Sequence, residues 1–319
     1  ESVRSFCKEL DQLKLNRPID RLICNAAVYN PGEEAEWTTD GHEQTMQVNF
    51  LSHFLMVSLL LPSLTRSSDP RVIMVGSSSA EETVGVYPVA DLSTLAGFEN
   101  GFKQPVSMID GLNYLGSRAY KDSKLCGTML SNVLHDRYHR QTGIAFSTMY
   151  PGAVEGSRMF EGKPALDSVR IMPSFMSTVP AEPVSVEEAG QRLFQVAHDP
   201  RCSKSGIYWS WRQGGYVEEA DEQEVELATG WGSIYENEPS DKVLDKGVAQ
   251  QLWKYSSQLT GASWPPANQP RSPCPTLVVV GAVTKAMNAK EEAKRMKPGV
   301  GVVAGSAGYV VDAVAGNTV

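Results

Sequence analysis

The chain has 319 residues, of which 41% are hydrophobic and 21% charged, and this length allows one large hydrophobic core with a small appendage. Its formal net charge of -8 argues against a nucleic-acid partner, because binding to a phosphate backbone requires a basic surface. No metal site or disulfide framework is expected, because the cysteines are odd in number and lack Cys-x-x-Cys pairs: Cys7, Cys24, Cys126, Cys202 and Cys274.

Short apolar runs alternate with amphipathic segments along the chain. The apolar runs predict strands at residues 20–25, 71–75, 144–150 and 206–211. The longer periodic segments predict helices at residues 1–10, 40–64, 119–142 and 185–196, the second of which is capped near Thr39 or Asp40. This alternation predicts an α/β fold, with a Rossmann-like, doubly wound parallel sheet covered by helices on both faces.

Other segments are predicted from their composition. The apolar segment at residues 50–61 ends at Pro62 and is too short to span a bilayer, so we expect a buried helix. Residues 78–117, rich in Gly, Pro and Asp, predict a long irregular insertion, and the acidic residues 215–245 predict a solvated surface insertion. The expected domain plan is one main domain, a Pro-rich linker and a C-terminal extension of unknown role: residues 1–262, 263–275 and 276–319.

Polar and small residues follow the predicted strands, at the sheet edge where ligands of such folds bind. Asn49 is a polar residue within the apolar second helix. The residues that follow the strands are Asn25, Ala26 and Ala27 after the first, Ser77 after the second, and Tyr150, Pro151 and Gly152 after the third. Each has a structural alternative, since Asn25 can pin a turn, Asn49 can bond a helix carbonyl and Ser77 can cap a loop.

Tyr120 and Lys124 lie one turn apart on the third predicted helix and therefore share a face. A phenol has a pKa of about 10, so it is a poor proton source near neutrality unless a cation stabilises its phenolate. Lys124 can supply this charge. The pair predicts an acid-base device for hydride-transfer chemistry, although the spacing alone also occurs on solvated helix surfaces.

Taken together, these residues resemble the short-chain dehydrogenase/reductase pattern Asn-Asn-Ala-Gly, Asn, Ser, Tyr-x-x-x-Lys, Pro-Gly. The resemblance implies that Tyr120 donates or relays a proton, while Lys124 lowers the pKa of that tyrosine and holds the nicotinamide ribose. It also implies that Ser77 positions the reacting group and that Asn49 supports a water-linked proton path. The residues expected to bind the cofactor are Asn25, Ala26, Ala27, Tyr120, Lys124, Tyr150, Pro151 and Gly152.

A closer resemblance, to the light-dependent protochlorophyllide oxidoreductase family, covers about residues 1–262. Five sequence stretches carry it, at residues 24–29, 101–111, 119–124, 137–143 and 205–211. The resemblance includes the long insertion, in which the second of these stretches lies. It implies an NADPH cofactor, a protochlorophyllide substrate reduced at its D-ring double bond in the light, and a plastid location. The insertion and residues 170–184 are expected to form walls over the pigment. Membrane-surface association and a homo-oligomer are left open.

Two features depart from that family. Ala153 stands directly after Tyr-Pro-Gly, where the family usually has a cysteine, so slower or altered photoreduction is expected. The glycine-rich turn that cradles the cofactor pyrophosphate does not precede Asn25. We expect a partial sequence that lacks the first strands. The alternatives are true loss of the phosphate-binding half and a permuted supply of glycines from the C-terminal tail.

Three functions therefore remain after the sequence alone. The first is the light-driven pigment reductase. The second is a dark short-chain dehydrogenase acting on a carbonyl or retinoid-like alcohol, which shares Ser77, Tyr120 and Lys124 but does not need the insertion. The third is a non-catalytic pigment-binding protein, which Ala153 and a true loss of the nucleotide half would favour.

Overall fold

The computed structural model describes residues 1–13, 17–30, 32–77, 91–152, 154, 184–211 and 233–267. The described helices are α1 (Ser2–Leu13), α2 (Gln44–Leu64), α3 (Ala96–Asn100), α4 (Gly116–Leu134, continued by a π-turn His135–His139 and by Arg140–Thr142), α5 (Val186–His198), α6 (Asp241–Leu244) and α7 (Lys246–Thr260). The described strands are β1 (Arg21–Cys24), β2 (Arg71–Val75), β3 (Ala145–Met149), β4 (Ile207–Trp211) and β5 (Ile234–Asn237).

The strands form one sheet in the order β1-β2-β3-β4-β5. The first four are parallel, which confirms the predicted Rossmann-like α/β fold. The fifth strand, β5, runs antiparallel to β4 and bonds its outer edge, so the sheet is mostly parallel. β5 lies within the segment that the acidic composition predicts as a solvated insertion, and its residues are only partly buried or exposed, so no apolar run predicts a strand there.

Residues of β2 alternate between the two faces of the sheet, as the period of a strand requires. Val72 and Met74 join the larger core with α2, α4 and α7, while Ile73 joins a smaller core with Val196 of α5 and Trp209 of β4. Helices therefore cover both faces of the sheet, and the carboxyl ends of the strands remain as the edge where a site can form.

Helix α2 begins later than predicted. Glu43, not Thr39 or Asp40, is its N-cap, and its two carboxylate oxygens accept hydrogen bonds from the amides of Thr45 and Met46 at 2.8 and 2.7 Å. The carboxylate of Asp40 instead accepts a hydrogen bond from the Gln47 side chain at 2.6 Å. Glu43 is a less common capping residue than Asp, which is why the sequence pattern favoured the earlier position.

By length and composition, α2 could cross a membrane, which the shorter segment 50–61 could not. However, 67% of its most apolar stretch is buried inside the fold, where Phe50, Phe54 and Leu61 belong to the larger core. This burial is that of a core helix and confirms the expectation of a buried helix for residues 50–61.

The described part of the long insertion, which was predicted to be irregular, contains a short helix and packs as core. Residues 91–115 contain α3, and Phe98 and Phe102 contact each other with ring centres 4.8 Å apart. Both rings are fully buried and belong to the larger core. Residues 78–90 lie outside the described residues.

The described residues lie in one compact unit, Glu1–Asn268. Trp264, in the predicted linker, packs on Trp253 and on Tyr138, with ring centres 4.4 and 5.9 Å apart. The Tyr138 hydroxyl donates a hydrogen bond to the carbonyl of Pro265 at 2.9 Å. Residues 268–275 of the predicted linker and the extension 276–319 lie outside the described residues, and the domain boundaries stay a prediction.

Candidate active site

The carboxyl ends of three parallel strands lie side by side. Cys24 of β1 is the register partner of Met74 in β2, which is in turn the partner of Thr148 in β3. The predicted site residues follow these positions directly. Asn25 and Ala26 are exposed, Ala27 is half-buried and Ser77 is buried.

The phenol of Tyr120, on α4, lies beside Ser77 at this edge. Its side chain is only 8% exposed, and its hydroxyl shares a hydrogen bond with the Ser77 side chain. Burial raises the pKa of Tyr120, the neighbouring phenols of Tyr150 and Tyr29 add to that rise, and the hydrogen bond with Ser77 opposes it. The tyrosine therefore stays protonated, in the form that can donate a proton.

Lys124 lies one turn further along α4, as predicted. Its ammonium donates a hydrogen bond to the carbonyl of Val75 at 2.8 Å and lies 5.6 Å from the centre of the Tyr120 ring. Burial lowers the pKa of Lys124 to about 8, and the nearby Cys24 thiol opposes this. The expected lowering of the Tyr120 pKa by Lys124 is not found in this arrangement, because the ammonium bonds Val75 and burial dominates at the phenol.

Asn49 lies within a π-turn of α2, Gln47–Leu51, a helix irregularity that is frequent at functional sites. Its amide oxygen accepts a hydrogen bond from the amide of Val28 at 2.8 Å, and its amide nitrogen donates to the carbonyl of Val28 and to the hydroxyl of Ser123, both at 3.0 Å. The alternative in which Asn49 bonds a helix carbonyl is therefore wrong for its side chain. Instead, the residue ties the loop after β1 to α4.

The loop after β3 is held by α5. The carbonyl of Pro151 accepts a hydrogen bond from the guanidinium of Arg192 at 2.9 Å. Gly152 has a φ of +108°, and a Cβ there would lie 2.7 Å from Val184 and 2.9 Å from the guanidinium. Glycine is thus required by both backbone conformation and space. Ala153 lies outside the described residues.

The structure adds residues that the sequence did not single out. Tyr29 lies edge-on to Tyr120, with ring centres 5.4 Å apart at 78°. The hydroxyl of Ser123 donates a hydrogen bond to the carbonyl of Tyr120 at 2.7 Å. Ser123 lies between the tyrosine and the lysine of Tyr-x-x-x-Lys, so its position in this motif could have marked it as a candidate site residue. Nothing in the sequence linked Tyr29 with Tyr120.

The residues present fit the nicotinamide-ribose end of a dinucleotide. Tyr120 and Lys124 supply a hydroxyl and an ammonium beside strand ends where Ala26 and Gly152 let a ligand approach the backbone closely. A glycine-rich turn that could hold the pyrophosphate is not found in the described part of the chain. No group of three or more His, Cys, Asp or Glu that could hold a metal ion occurs among these residues either.

Comparisons with known proteins show which families and proteins the chain is similar to. A family model described as short chain dehydrogenase matches residues 2–89. Protochlorophyllide reductase B from Hordeum vulgare is 36% identical over 82% of this chain and 63% of its own length, and the Cucumis sativus protochlorophyllide reductase is 37% identical over 82% and 62%. Both relatives are named as chloroplastic. The chain therefore spans less than two thirds of their length.

Two solved structures show partial similarity to the chain. An uncharacterised protein from Mycobacterium paratuberculosis has a TM-score of 0.47 and 20% identity over 83% of this chain and 73% of its own. The NADPH-bound carbonyl reductase from chicken fatty liver has a TM-score of 0.41 and 18% identity over 65% and 69%.

Proposed function

Because the chain belongs to the short-chain dehydrogenase/reductase family and is related to protochlorophyllide reductases, we propose that it acts in the light-driven, NADPH-dependent reduction of the protochlorophyllide D-ring double bond, which yields chlorophyllide. The identity of about 36% to such relatives supports this substrate over an ordinary carbonyl or alcohol. Since the chain spans only part of their length, its activity, its NADPH, its pigment and its plastid location all belong to the proposal.

The observation that carries the proposal is the buried hydrogen bond between Tyr120 and Ser77, beside the strand ends, with Lys124 one turn away. The protonated phenol of Tyr120 would deliver the proton to the carbon next to the one that receives hydride. Ser77 would orient that phenol and the reacting group. A general acid placed in this way contributes a factor of about 10²–10⁴ to the rate.

NADPH supplies the hydride when it is bound, and the light energy is absorbed by the pigment itself. Lys124 would hold the nicotinamide ribose, with backbone groups of Asn25, Ala26 and Ala27 on one side and of Tyr150, Pro151 and Gly152 on the other. Asn49 would keep the loop after β1 in place through Val28. Burial of the phenol and the ammonium excludes water, which strengthens their electrostatic interactions with the reacting atoms.

The position of the insertion favours the proposal of a large, flat substrate. Its residues 91–115 pack in one core with α2 and α4, so they can serve as a wall of a pigment site. The other expected wall, residues 170–184, lies outside the described residues apart from Val184. Ala153, where the family usually has a cysteine, leaves Tyr120 as the proposed proton donor of the protein.

Absorbance tests the proposal directly. The protein is mixed with NADPH and protochlorophyllide in darkness and then exposed to a single flash. A red-shifted bound pigment that converts after the flash, and that fails to convert in Tyr120→Phe, supports the proposal. Bound pigment that never converts indicates a pigment-binding protein. Absence of pigment binding, with turnover of a carbonyl or retinoid-like alcohol in the dark, indicates an ordinary dehydrogenase.

The same assay tests the effect of Ala153. In Ala153→Cys, the added thiol can donate a proton or place the pigment, so we expect faster conversion per flash. A rate equal to that of the parent protein would show that this position does not limit photoreduction.

A further inference from the structure

Tyr29 is buried against the proposed proton donor. Its side chain is 8% exposed, and its ring meets that of Tyr120 in a T-shaped contact with centres 5.4 Å apart. Pairs of this geometry contribute about 0.5–1.5 kcal/mol beyond the burial of their surface, so they hold both rings in a defined orientation. The contact therefore restricts the plane of the Tyr120 ring.

The position of Tyr29 is set by its neighbour in sequence. Both backbone polar groups of Val28 bond the side chain of Asn49, at 2.8 and 3.0 Å. The same Asn49 amide donates to Ser123, whose hydroxyl donates to the carbonyl of Tyr120. One buried amide thus holds the backbone beside each of the two tyrosines, which makes their contact a built feature of the fold.

Lys124 also lies against the Tyr120 ring, with its ammonium 5.6 Å from the ring centre. The phenol is therefore enclosed by Tyr29, Lys124 and its partner Ser77. Burial raises the pKa of Tyr120, and the phenols of Tyr150 and Tyr29 add to the rise. Removal of the Tyr29 ring would open one side of this enclosure to water.

We propose that Tyr29 is a positioning residue, whose ring fixes the plane of Tyr120 and shields its hydroxyl from water so that the hydroxyl remains directed at Ser77. This rests on the proposed role of Tyr120 as proton donor. Phenylalanine keeps the ring and loses only the contribution of the Tyr29 phenol to the raised pKa of Tyr120, so it should keep most of this effect, whereas alanine should lose it.

The test follows the ionisation of Tyr120 without any substrate. Tyrosines are labelled with ¹³C at Cζ, and Tyr120→Phe assigns the resonance. In the parent protein, this resonance should not titrate over the pH range in which circular dichroism reports a folded chain. In Tyr29→Ala it should titrate at least about one unit lower, nearer the ordinary phenol value of about 10. Tyr29→Phe, which lacks only the phenol of Tyr29, should stay closer to the parent protein than to the alanine variant.

Tyr255→Ala is the matched control, because Tyr255 lies on α7 and its hydroxyl bonds Glu99 at 3.0 Å, away from the site. This variant should leave the Tyr120 resonance unchanged. If Tyr29→Ala does not fold, Tyr29→Ser also removes the ring and leaves its space open to water. An unaltered Tyr120 titration in the folded alanine or serine variant overturns the proposal, as does a phenylalanine variant that behaves like alanine.

A kinetic measurement then connects the contact with turnover. In flash-driven reduction, Tyr29→Ala should lower the conversion rate by about tenfold or more while the KM for NADPH changes little, because misorientation affects the transition state rather than cofactor binding. The titration needs no pigment. It therefore remains decisive even if the protein proves to act on another substrate.

Discussion

The ammonium of Lys124 donates a hydrogen bond to the main-chain carbonyl of Val75 at 2.8 Å, and so joins helix α4 to the last residue of strand β2. Val75 is followed two positions later by Ser77, the partner of Tyr120. This bond therefore places the strand end, the serine and the tyrosine in one connected unit. It also explains why the ammonium lies beside the ring of Tyr120 and not at its hydroxyl.

The buried state of Lys124 predicts a pH effect on turnover. Burial lowers its pKa to about 8, so the ammonium loses its proton as the pH rises through that value. We expect the photoreduction rate to fall between about pH 7 and 9, because the neutral amine no longer supplies a positive charge at the site. Initial rates after single flashes, at saturating NADPH and pigment, measure this.

Lys124→Arg is the matched variant, since a guanidinium remains charged over this range. Its absolute rate is expected to be lower because its geometry differs, but its profile should be flat between about pH 7 and 9. Identical pH profiles for the parent and arginine proteins would show that another group titrates.

Loss of the Asn49 side chain should destabilise the fold. Asn49→Ala leaves the amide and carbonyl of Val28 and the Ser123 hydroxyl without their buried partner, which is expected to lower the free energy of unfolding by about 1–3 kcal/mol. Asn100→Ala is the control, because exposed Asn100 makes one bond, to the carbonyl of Ala96, and should cost less than about 0.5 kcal/mol. Urea unfolding measures both, and equal losses would contradict this role.

Replacement of two α4 glycines by alanine should change the stability of the fold in opposite directions. A Cβ on Gly116 would lie 1.5 Å from the carbonyl oxygen of Asn30, so Gly116→Ala must displace the loop after β1. Gly127 has nothing within 4 Å of such an atom, and Gly127→Ala should stabilise the helix by up to about 1 kcal/mol. Thermal unfolding compares the two. A stable, fully folded Gly116→Ala protein would disprove the close contact.

Buried His53 should make the fold sensitive to acid. Burial lowers its pKa to about 4, the charge of Lys124 adds to this, and a hydrogen bond with the Asn49 backbone opposes it. Since the unfolded value is about 6.5, the stabilisation is fully present above pH 6.5 and is lost as the pH falls toward 4, by at most about 3 kcal/mol. His53→Gln should remove this slope from the free energy of unfolding.

His198→Gln is its control, because His198 is exposed on α5, and this variant should keep the parent slope between pH 6.5 and 4. If both variants keep it, the acid sensitivity arises from other groups.

The sequence alone was sufficient for the four parallel strands, for the buried helix through residues 50–61 and for the spacing of Tyr120 and Lys124. These features depend on local periodicity, which is written in neighbouring residues. The alternation of apolar runs and amphipathic segments was likewise enough for the α/β fold.

Only the tertiary structure decided which residues meet. The bonds of Asn49 to Val28 and Ser123, the contact of Tyr29 with Tyr120 and the pairing of β5 with β4 join segments distant in sequence. The pKa values of Tyr120 and Lys124 also depended on it, because desolvation is a property of the packed fold and not of the residue. The local sequence pattern therefore specifies the secondary structure of each segment, and burial in the packed fold sets the pKa values and the contacts of its side chains.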